Sequence, residues 1–366
     1  MNDAAELPEP WHRPWPSDGL EMVRECPVCG AAGRVLLFAD LVDTVFRVAP
    51  GKWRLWRCEG CGSAYLDPRP SPDTIHLAYS SYYTHAASPH KVEFDRLTPL
   101  RRLRRRLVNG YTRWRFSDSE EPYSYWGIPA LFFLPAQRRG LDGRYRHWPK
   151  RHTAQGVLLD IGCGNGSFLQ TAASCGWQVT GLDPDANAVT VCRQQGLHAL
   201  HGGVELLDAM EDQFDVITMN HVIEHVPDPA ALLRACHRLL RPGGRLWLQT
   251  PNIASLASRR FRSYWRGLEP PRHLVLFNMA SLRSALTKAG FEQIRLCSVP
   301  SPIAWIVNAS EAIQAQSAEG QGTRSSVSQR LFVMKARVAQ ALFPSLREFL
   351  TLVGHKGGER PDRAAT

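Results

Sequence analysis

The sequence predicts an α/β domain built on a wound parallel sheet, preceded by a small cysteine-rich unit. From residue 156 onward, short apolar runs alternate with segments of helical spacing, as is typical of parallel strands connected by helices. Upstream, two Cys-x-x-Cys pairs bracket residues 26–61. The chain has 366 residues, which is enough for one large domain and one small one.

The strand candidates are short and apolar. Segments such as SFLQTAASC and PAALLRACHRLL lie between or after them at helical spacing. The candidates in the sheet domain are VLLDI (157–161), QVTGLD (178–183), HALHGG (198–203), FDVITMN (214–220), GRLWLQT (244–250), FEQIRLCSV (291–299) and EFLTLVGHK (348–356), the last as an edge strand.

Charge and hydrophobicity narrow the classes of function. A formal net charge of +10 favours anionic partners such as nucleic acid, phosphorylated molecules or a membrane surface. Eight arginines and no acidic residue lie between Arg96 and Arg115. No apolar run reaches the roughly 18 residues of a membrane span, and the first residues do not resemble a secretory signal. We therefore expect a cytoplasmic protein.

The stretch VLLDIGCGNGSFL (157–169) is a strand followed by a glycine-rich loop. A phosphate-binding Walker loop would end in Gly-Lys-Ser/Thr, and no lysine is present. The dinucleotide fingerprint G-x-G-x-x-G would need glycine at Ser167. Glycines at 162, 164 and 166 instead let the backbone pass close to a ligand without interference from Cβ atoms.

Two aspartates at strand ends indicate which ligand the loop binds. Asp160 repels a pyrophosphate but suits a cationic ligand, and S-adenosylmethionine carries both an ammonium and a sulfonium group. Asp183 ends the second strand, where an acidic side chain accepts hydrogen bonds from both ribose hydroxyls. The spacing therefore predicts an S-adenosylmethionine site.

These motifs resemble the class I S-adenosylmethionine-dependent methyltransferases over residues 156–299. DIGCGNG, GLDPD, FDVITMNHVIEHVPDP and LRPGGRLWLQTPN carry the resemblance. It implies a Rossmann-like seven-stranded sheet with helices on both faces and an antiparallel final hairpin. It also implies the cofactor-binding residues Asp160, Gly162, Gly164, Gly166, Asp183 and Pro184, together with Gly203 and Val204 near the adenine and Asn220 and His221 near the methionine end.

The segment HVIEH (221–225) matches a zinc-peptidase pattern. Pro227 and Pro229 follow too closely for a metal-binding helix, so we expect a loop that lines the cofactor. In some quinone-biosynthesis O-methyltransferases a similar loop binds a divalent metal through two acids and a histidine, and here the first of those positions is His221. Glu224 and His225 either pack this loop or take part in the chemistry.

Four cysteines form two knuckles, CPVCG and CEGCG, separated by 28 residues. This spacing predicts a tetrahedral zinc ribbon with a structural ion, since four thiolates leave no open position. Disulfides are the alternative, but no export signal supports them. The predicted ligands are Cys26, Cys29, Cys58 and Cys61.

The acceptor site is predicted from a second resemblance. WRGLEPPRHLVLF resembles class I enzymes of surface-polysaccharide and lipid-linked glycan pathways, and SPDTIHLAYSSYYTH with the zinc ribbon resembles zinc-containing sugar C-methyltransferases. In those enzymes a tyrosine and a histidine face the sugar, which implies Tyr83 and His273 here. A histidine is a suitable general base for a hydroxyl acceptor. The short C-terminal region favours O-methylation over C-methylation.

The leading hypothesis is thus O-methylation of a sugar or lipid-linked glycan, with His273, Tyr83 and His225 as catalytic candidates. A zinc-ribbon RNA methyltransferase, a quinone-like small-molecule O-methyltransferase, a sugar C-methyltransferase and a non-catalytic binding protein are the alternatives. Residues 96–115 are expected to form a solvated basic helix or to contact an anionic membrane on its inner face.

The predicted organisation has seven parts. They are a flexible leader (1–24), a zinc ribbon and cap (25–80), a basic helical linker over the substrate (81–150), the S-adenosylmethionine-binding domain (151–299), a helical insertion (300–345), the final edge strand (346–357) and a disordered tail (358–366).

Overall fold

The structure, a computed structural model, describes residues 9–79, 97–117, 121–148, 156–316 and 326–358. Its strands are β1 (Leu20–Glu21), β2 (Arg34–Leu41), β3 (Trp53–Cys58), β4 (Ala64–Leu66), β5 (Arg69–Pro70), β6 (Val157–Ile161), β7 (Gln178–Asp183), β8 (Ala199–His201), β9 (Phe214–Asn220), β10 (Leu240–Pro251), β11 (Val275–Leu276), β12 (Glu292–Leu296) and β13 (Phe349–His355).

Helices connect and flank these strands. They are α1 (Pro99–Phe116), α2 (Gly127–Phe132), α3 (Pro135–Arg144), α4 (Ser167–Ser174), α5 (Ala186–Gln194), α6 (Pro229–Leu239), α7 (Leu256–Phe261), α8 (Met279–Lys288), α9 (Ile303–Gln316) and α10 (Ser326–Leu342). No helix in the described part of the chain is long and apolar enough to cross a bilayer.

The large sheet has seven strands in the order β12-β13-β10-β9-β6-β7-β8. Five neighbouring strands, β10 to β8, are parallel, and β13 runs antiparallel to both β10 and β12. The central strands are apolar and almost fully buried, as expected where helices cover both faces of a parallel sheet. This confirms the Rossmann-like mixed sheet that the resemblance implies.

The predicted position of one strand within the sheet was wrong. The segment 348–356 was expected to form an edge strand, but β13 lies between β10 and β12 and is hydrogen-bonded on both sides. Five consecutive residues of β13 are buried, which fits an internal position. The edge on this side of the sheet is β12, whose residues are all exposed or partly exposed.

The cysteine-rich unit forms a second sheet, with four strands in the order β11-β4-β3-β2. Its fourth strand, β11, comes from the chain after β10, more than 200 residues downstream of β4. Val275 pairs with Tyr65, and both residues are fully buried. The unit is therefore joined to the large domain by a shared sheet.

The predicted flexible leader is packed over residues 9–24. Trp15 is 6% exposed, and its indole lies 5.1 Å from that of Trp53. The Trp15 Nε1 donates to the carbonyl of Gly19, and β1 pairs with β5. Burial of an indole and a short strand pairing hold this segment against the four-stranded sheet.

Glu348, directly before β13, is a buried acid that provides a test of the packing. It is 0% exposed, and burial raises its pKa to about 7. The folded protein therefore binds this proton more tightly than the unfolded chain does. This contribution to stability is fully present below the ordinary glutamate pKa and is lost as the pH rises through about 7. Wild type should lose this stability between pH 5 and pH 8, whereas Glu348→Gln has no proton to lose. We therefore expect the unfolding free energy of Glu348→Gln, measured relative to that of wild type, to be about 2–3 kcal/mol higher at pH 8 than at pH 5. Urea unfolding at both pH values measures this change, and a pH-independent difference would contradict it.

Candidate active site

The glycine loop between β6 and α4 has left-handed backbone at all three glycines, with φ of 73°, 53° and 80° at Gly162, Gly164 and Gly166. A Cβ on Gly162 would collide with Val222, and one on Gly166 would lie 2.7 Å from Leu197 Cδ1. A Cβ on Gly164 would meet no atom within 4 Å. The outer glycines are thus required by packing, and the middle one faces open space that a ligand can enter.

Asp183 fixes this loop from the end of β7. Its Oδ2 accepts from the backbone N–H of Gly164 at 2.8 Å, and its Oδ1 accepts from that of Asp185 at 2.9 Å. Burial raises the pKa of Asp183, while these two hydrogen bonds oppose the rise. The carboxylate therefore orders the loop as well as the crevice beside it, and its contact with a ribose stays a prediction.

Asp160 lies beneath the loop and is fully buried. Its Oδ1 accepts from Thr218 Oγ1 at 2.8 Å and from Arg146, whose guanidinium stacks over the Phe168 ring. Within the described residues its Oδ2 has no hydrogen-bond partner. A buried acceptor of this kind fits the ammonium group of S-adenosylmethionine, although contact with the cofactor stays a prediction.

The other predicted cofactor residues lie at the ends of neighbouring strands. Asn220 ends β9 and is exposed, and His221 follows with φ of 57°, a conformation that is uncommon for a side chain of this size. His201 Nε2 donates to the carbonyl of Pro184 at 3.0 Å, and the N–H of Gly203 donates to Glu205 at 2.8 Å.

Two histidines from separate segments lie next to each other near the ends of these strands. His225 ends a single 3-10 turn after β9, as expected of a loop rather than a peptidase helix, and His273 precedes β11. Their ring centroids lie 4.8 Å apart. His225 Nδ1 is 3.0 Å from the carbonyl of Arg272, and His273 Nδ1 is 2.9 Å from that of Gly267. Because a carbonyl only accepts, each Nδ1 carries a proton, and Nε2 is the basic nitrogen of each neutral ring.

The two rings differ in exposure. His273 is 4% exposed, whereas His225 is half-buried. The Tyr79 hydroxyl lies 3.0 Å from His225 Nδ1. Burial lowers the pKa of His225 to about 4. His225 is therefore a neutral base at physiological pH.

Glu224 anchors the turn that carries His225. It is fully buried, with Oε1 accepting from His221 Nδ1 at 3.1 Å and Oε2 accepting from Thr250 Oγ1 at 2.9 Å. Burial alone would raise its pKa, but the His221 hydrogen bond and the nearby histidines hold it at about 2. Together with His225 and His273, Glu224 places three potential ligand atoms within 4.8 Å of one another.

Arg272, which directly precedes His273, is buried and paired with an acid. It is 0% exposed, pairs with the equally buried Asp43 and donates to the carbonyl of Ala78 at 2.8 Å. Asp43 also accepts from the backbone N–H groups of Phe46 and Val48. Arg272 therefore joins the cysteine-rich unit to the histidine loop and presents no charge to an acceptor.

The four predicted zinc ligands meet at one point. Their Sγ atoms all lie within 4.8 Å of one another, with Cys26–Cys61 at 3.6 Å and Cys29–Cys58 at 3.5 Å. A tetrahedron with Zn–S bonds of about 2.3 Å has edges of about 3.8 Å, whereas a disulfide is about 2.05 Å long. The geometry fits a four-thiolate zinc site and no disulfide.

The structure brings several of the predicted residues together and adds partners that the sequence did not indicate. Tyr83, the predicted tyrosine, lies outside the described residues. Tyr79, four positions earlier, contacts His225 instead. Asp43, Arg146 and Glu269 were also missed. Asp43 and Arg146 are buried, and Glu269 Oε2 lies 3.9 Å from His273 Nε2. The segment TIHLAY (74–79) ends in Tyr79, one helical turn before Tyr83, and this was the one signal in the sequence for the Tyr79 contact.

Known proteins resemble the sheet domain. Residues 136–296 match the family model described as a methyltransferase domain. The ubiquinone biosynthesis O-methyltransferase of Pseudomonas paraeruginosa is 42% identical over 106 residues, which cover 26% of this chain and 44% of that protein. Its counterpart from Aeromonas salmonicida is 46% identical over 105 residues, covering 26% and 43%. The chain thus spans less than half the length of these curated relatives.

Solved structures show more distant likeness. A SAM-dependent methyltransferase from Archaeoglobus fulgidus has a TM-score of 0.43 and 19% identity, covering 62% of this chain and 99% of that one. The phosphoethanolamine N-methyltransferase 2 of Haemonchus contortus has a TM-score of 0.42 and 18% identity, covering 80% and 63%. The sheet order, the glycine loop and the family match agree: residues 136–296 form a class I S-adenosylmethionine-dependent methyltransferase domain.

Proposed function

We propose that the protein transfers the methyl group of S-adenosylmethionine to a hydroxyl of a small quinone-type acceptor. The observation that carries the proposal is the orientation of His225, whose Nδ1–H is held by the Arg272 carbonyl so that Nε2 is left as the proton acceptor. The names of the relatives, which are O-methyltransferases of ubiquinone biosynthesis, support a quinone-type acceptor over the sugar that we expected from the sequence.

Bound S-adenosylmethionine supplies a methyl group made electrophilic by the sulfonium. The protein's own residues position the reactants and move one proton. Asp183 and the glycine loop hold the cofactor, and Asp160 offers its buried oxygen to the ammonium group. His225 Nε2 takes the proton from the acceptor hydroxyl while the hydroxyl oxygen bonds to the methyl carbon, the S–CH₃ bond breaks and S-adenosylhomocysteine is released. Proton removal of this kind is worth about 10²–10⁴-fold in rate. His225 replaces His273 in this role because its ring is the more exposed of the two.

A sugar or lipid-linked glycan hydroxyl is the second candidate acceptor. Two observations favour it: the Tyr79–His225 contact, which brings a tyrosine from the N-terminal segment to a histidine, and the cysteine-rich sheet joined to the histidine loop by β11. The resemblance to sugar methyltransferases likewise implies a zinc ribbon and a tyrosine of the N-terminal segment near a histidine of the site. C-methylation and RNA methylation have no such support.

Methyl-labelled cofactor distinguishes these acceptors directly. The purified protein is incubated in parallel with a polyprenyl catechol, a lipid-linked glycan extract and total RNA. We expect label in the phenolic ether and none in the other two. Label in the glycan would transfer the proposal to the second candidate, and label in RNA would contradict both.

We also propose that the four-cysteine cluster holds a structural Zn²⁺, which its thiolates would bind without leaving an open coordination position. Cys58→Ser is expected to reduce the zinc content from about one ion per chain toward zero and to lower the melting temperature. Elemental mass spectrometry and calorimetry measure both. Cys297→Ser, which changes a half-buried cysteine outside the cluster, is the matched control and should keep its zinc. Equal zinc contents in the two variants would contradict the assignment.

A further inference from the structure

A surface rich in arginine and exposed apolar side chains covers α1 and α2, outside the methyltransferase domain. Phe133 is 85% exposed, Trp126 78% and Leu100 76%. Such a group of large apolar residues is unusual on a soluble surface and indicates a docking site. The α1–α2 surface consists of Leu100, Leu103, Trp114, Trp126, Phe132, Phe133 and Leu134 with the exposed arginines Arg101, Arg102, Arg104, Arg106 and Arg113.

The apolar side chains of this surface continue from one helix to the next. Leu100, Leu103 and Trp114 share one face of α1 by helical spacing. The Trp114 ring lies 6.4 Å from that of Phe132, which ends α2. Trp126 precedes Gly127 at the other end of α2. The apolar face therefore spans both helices, and the arginines flank it.

The surface is rigidly attached to the rest of the protein. The two helices cross in backbone contact, because a Cβ on Gly110 would collide with the Ser124 carbonyl and one on Gly127 with that of Leu107. At its C-terminal end α1 is anchored by Phe116, which stacks on Tyr145 at 4.3 Å within a buried aromatic cluster. The exposed apolar side chains therefore lie on a fixed framework.

We propose that the α1–α2 surface docks the protein on an anionic lipid bilayer. Helix α1 carries seven arginines and no acidic residue, which matches a negatively charged headgroup layer. Aromatic side chains suit the boundary between headgroups and hydrocarbon. Leu100 and Leu103 favour a membrane over a nucleic acid, because only the bilayer offers hydrocarbon that can bury an aliphatic side chain. The proposal goes beyond the methyl-transfer chemistry, and its test measures binding alone.

Co-sedimentation of the full chain with vesicles tests the proposal. We expect binding to phosphatidylcholine vesicles that contain about one third phosphatidylglycerol, weakening as salt is added. Phe133→Ser with Trp126→Ser should reduce the partition coefficient about tenfold or more, and Arg101→Glu with Arg104→Glu should reduce it comparably. Val338→Ser removes a similarly exposed apolar side chain from α10 and should bind like wild type.

Three results would overturn the proposal. One is equal binding to anionic and pure phosphatidylcholine vesicles. Another is loss of binding in the α10 variant with none in either α1–α2 variant. The third is retention on RNA without sedimentation with any vesicle. Circular dichroism of each variant verifies that these surface changes leave the fold intact, and unchanged methyl transfer in solution separates docking from catalysis.

Discussion

Replacing His225 with asparagine is expected to lower kcat by about 10²–10⁴-fold while leaving the affinity for S-adenosylhomocysteine within about twofold. Asparagine can still donate a hydrogen bond to the Arg272 carbonyl, but it has no basic nitrogen to take the acceptor's proton. Steady-state rates with labelled cofactor measure the first quantity, and calorimetry measures the second.

The pH profile distinguishes a lost base from a damaged loop. Burial lowers the pKa of His225 to about 4, so the ring stays neutral, and competent as a base, until the pH falls toward that value. The acid limb of kcat/KM should therefore lie near pH 4–5 and not near the ordinary histidine value of about 6.5. In His225→Asn the residual rate should lose this limb.

Two further histidine variants control this experiment. His237 is half-buried on α6 against Phe291, away from the cluster, and His237→Asn should leave kcat unchanged. His273→Asn tests the assignment that we first expected from the sequence. If it abolishes turnover while His225→Asn retains it, His273 is the base and the assignment to His225 is wrong.

The sheet domain was predictable from the sequence because its signals are local. Buried parallel strands give apolar runs, and glycines at 162, 164 and 166 mark a loop that needs left-handed backbone. The position of β13 was not predictable in the same way, since its apolar run fits both an edge and an interior place. Strand β11 has only two residues, too few for any periodicity, yet it joins the two sheets.

The site was predictable only where a motif is contiguous. The two Cys-x-x-Cys knuckles and HVIEH each lie in one short stretch, and spacing alone identified them. The contacts between Asp43 and Arg272 and between Tyr79 and His225 span 229 and 146 positions. Such pairs depend on how distant segments pack, and no local pattern records them.

Removing one partner of the buried Asp43–Arg272 pair is expected to destabilise the protein strongly. Both side chains are 0% exposed, so Arg272→Met leaves the Asp43 carboxylate buried with only backbone donors. We expect a loss of about 3–5 kcal/mol in unfolding free energy at pH 7, measured by urea denaturation.

Burial alone would raise the pKa of Asp43, but the Arg272 hydrogen bond holds it below its ordinary value. The stability from this lowered pKa is present above the unfolded value and is lost as the pH falls through the folded one. The cost of the variant should therefore shrink below about pH 4.

An exposed ion pair gives the matched control for this variant. Arg238 pairs with Asp208, whose side chain is 69% exposed, so Arg238→Met should cost no more than about 1 kcal/mol. Adding Asp43→Asn to Arg272→Met should recover part of the loss, because the uncompensated charge is then removed. A cost for Arg272→Met as small as that of the control would contradict a buried, coupled pair.

Because the Arg272 carbonyl orients His225, the same variant should also lower kcat, which would link the cysteine-rich unit to the reaction through one buried residue.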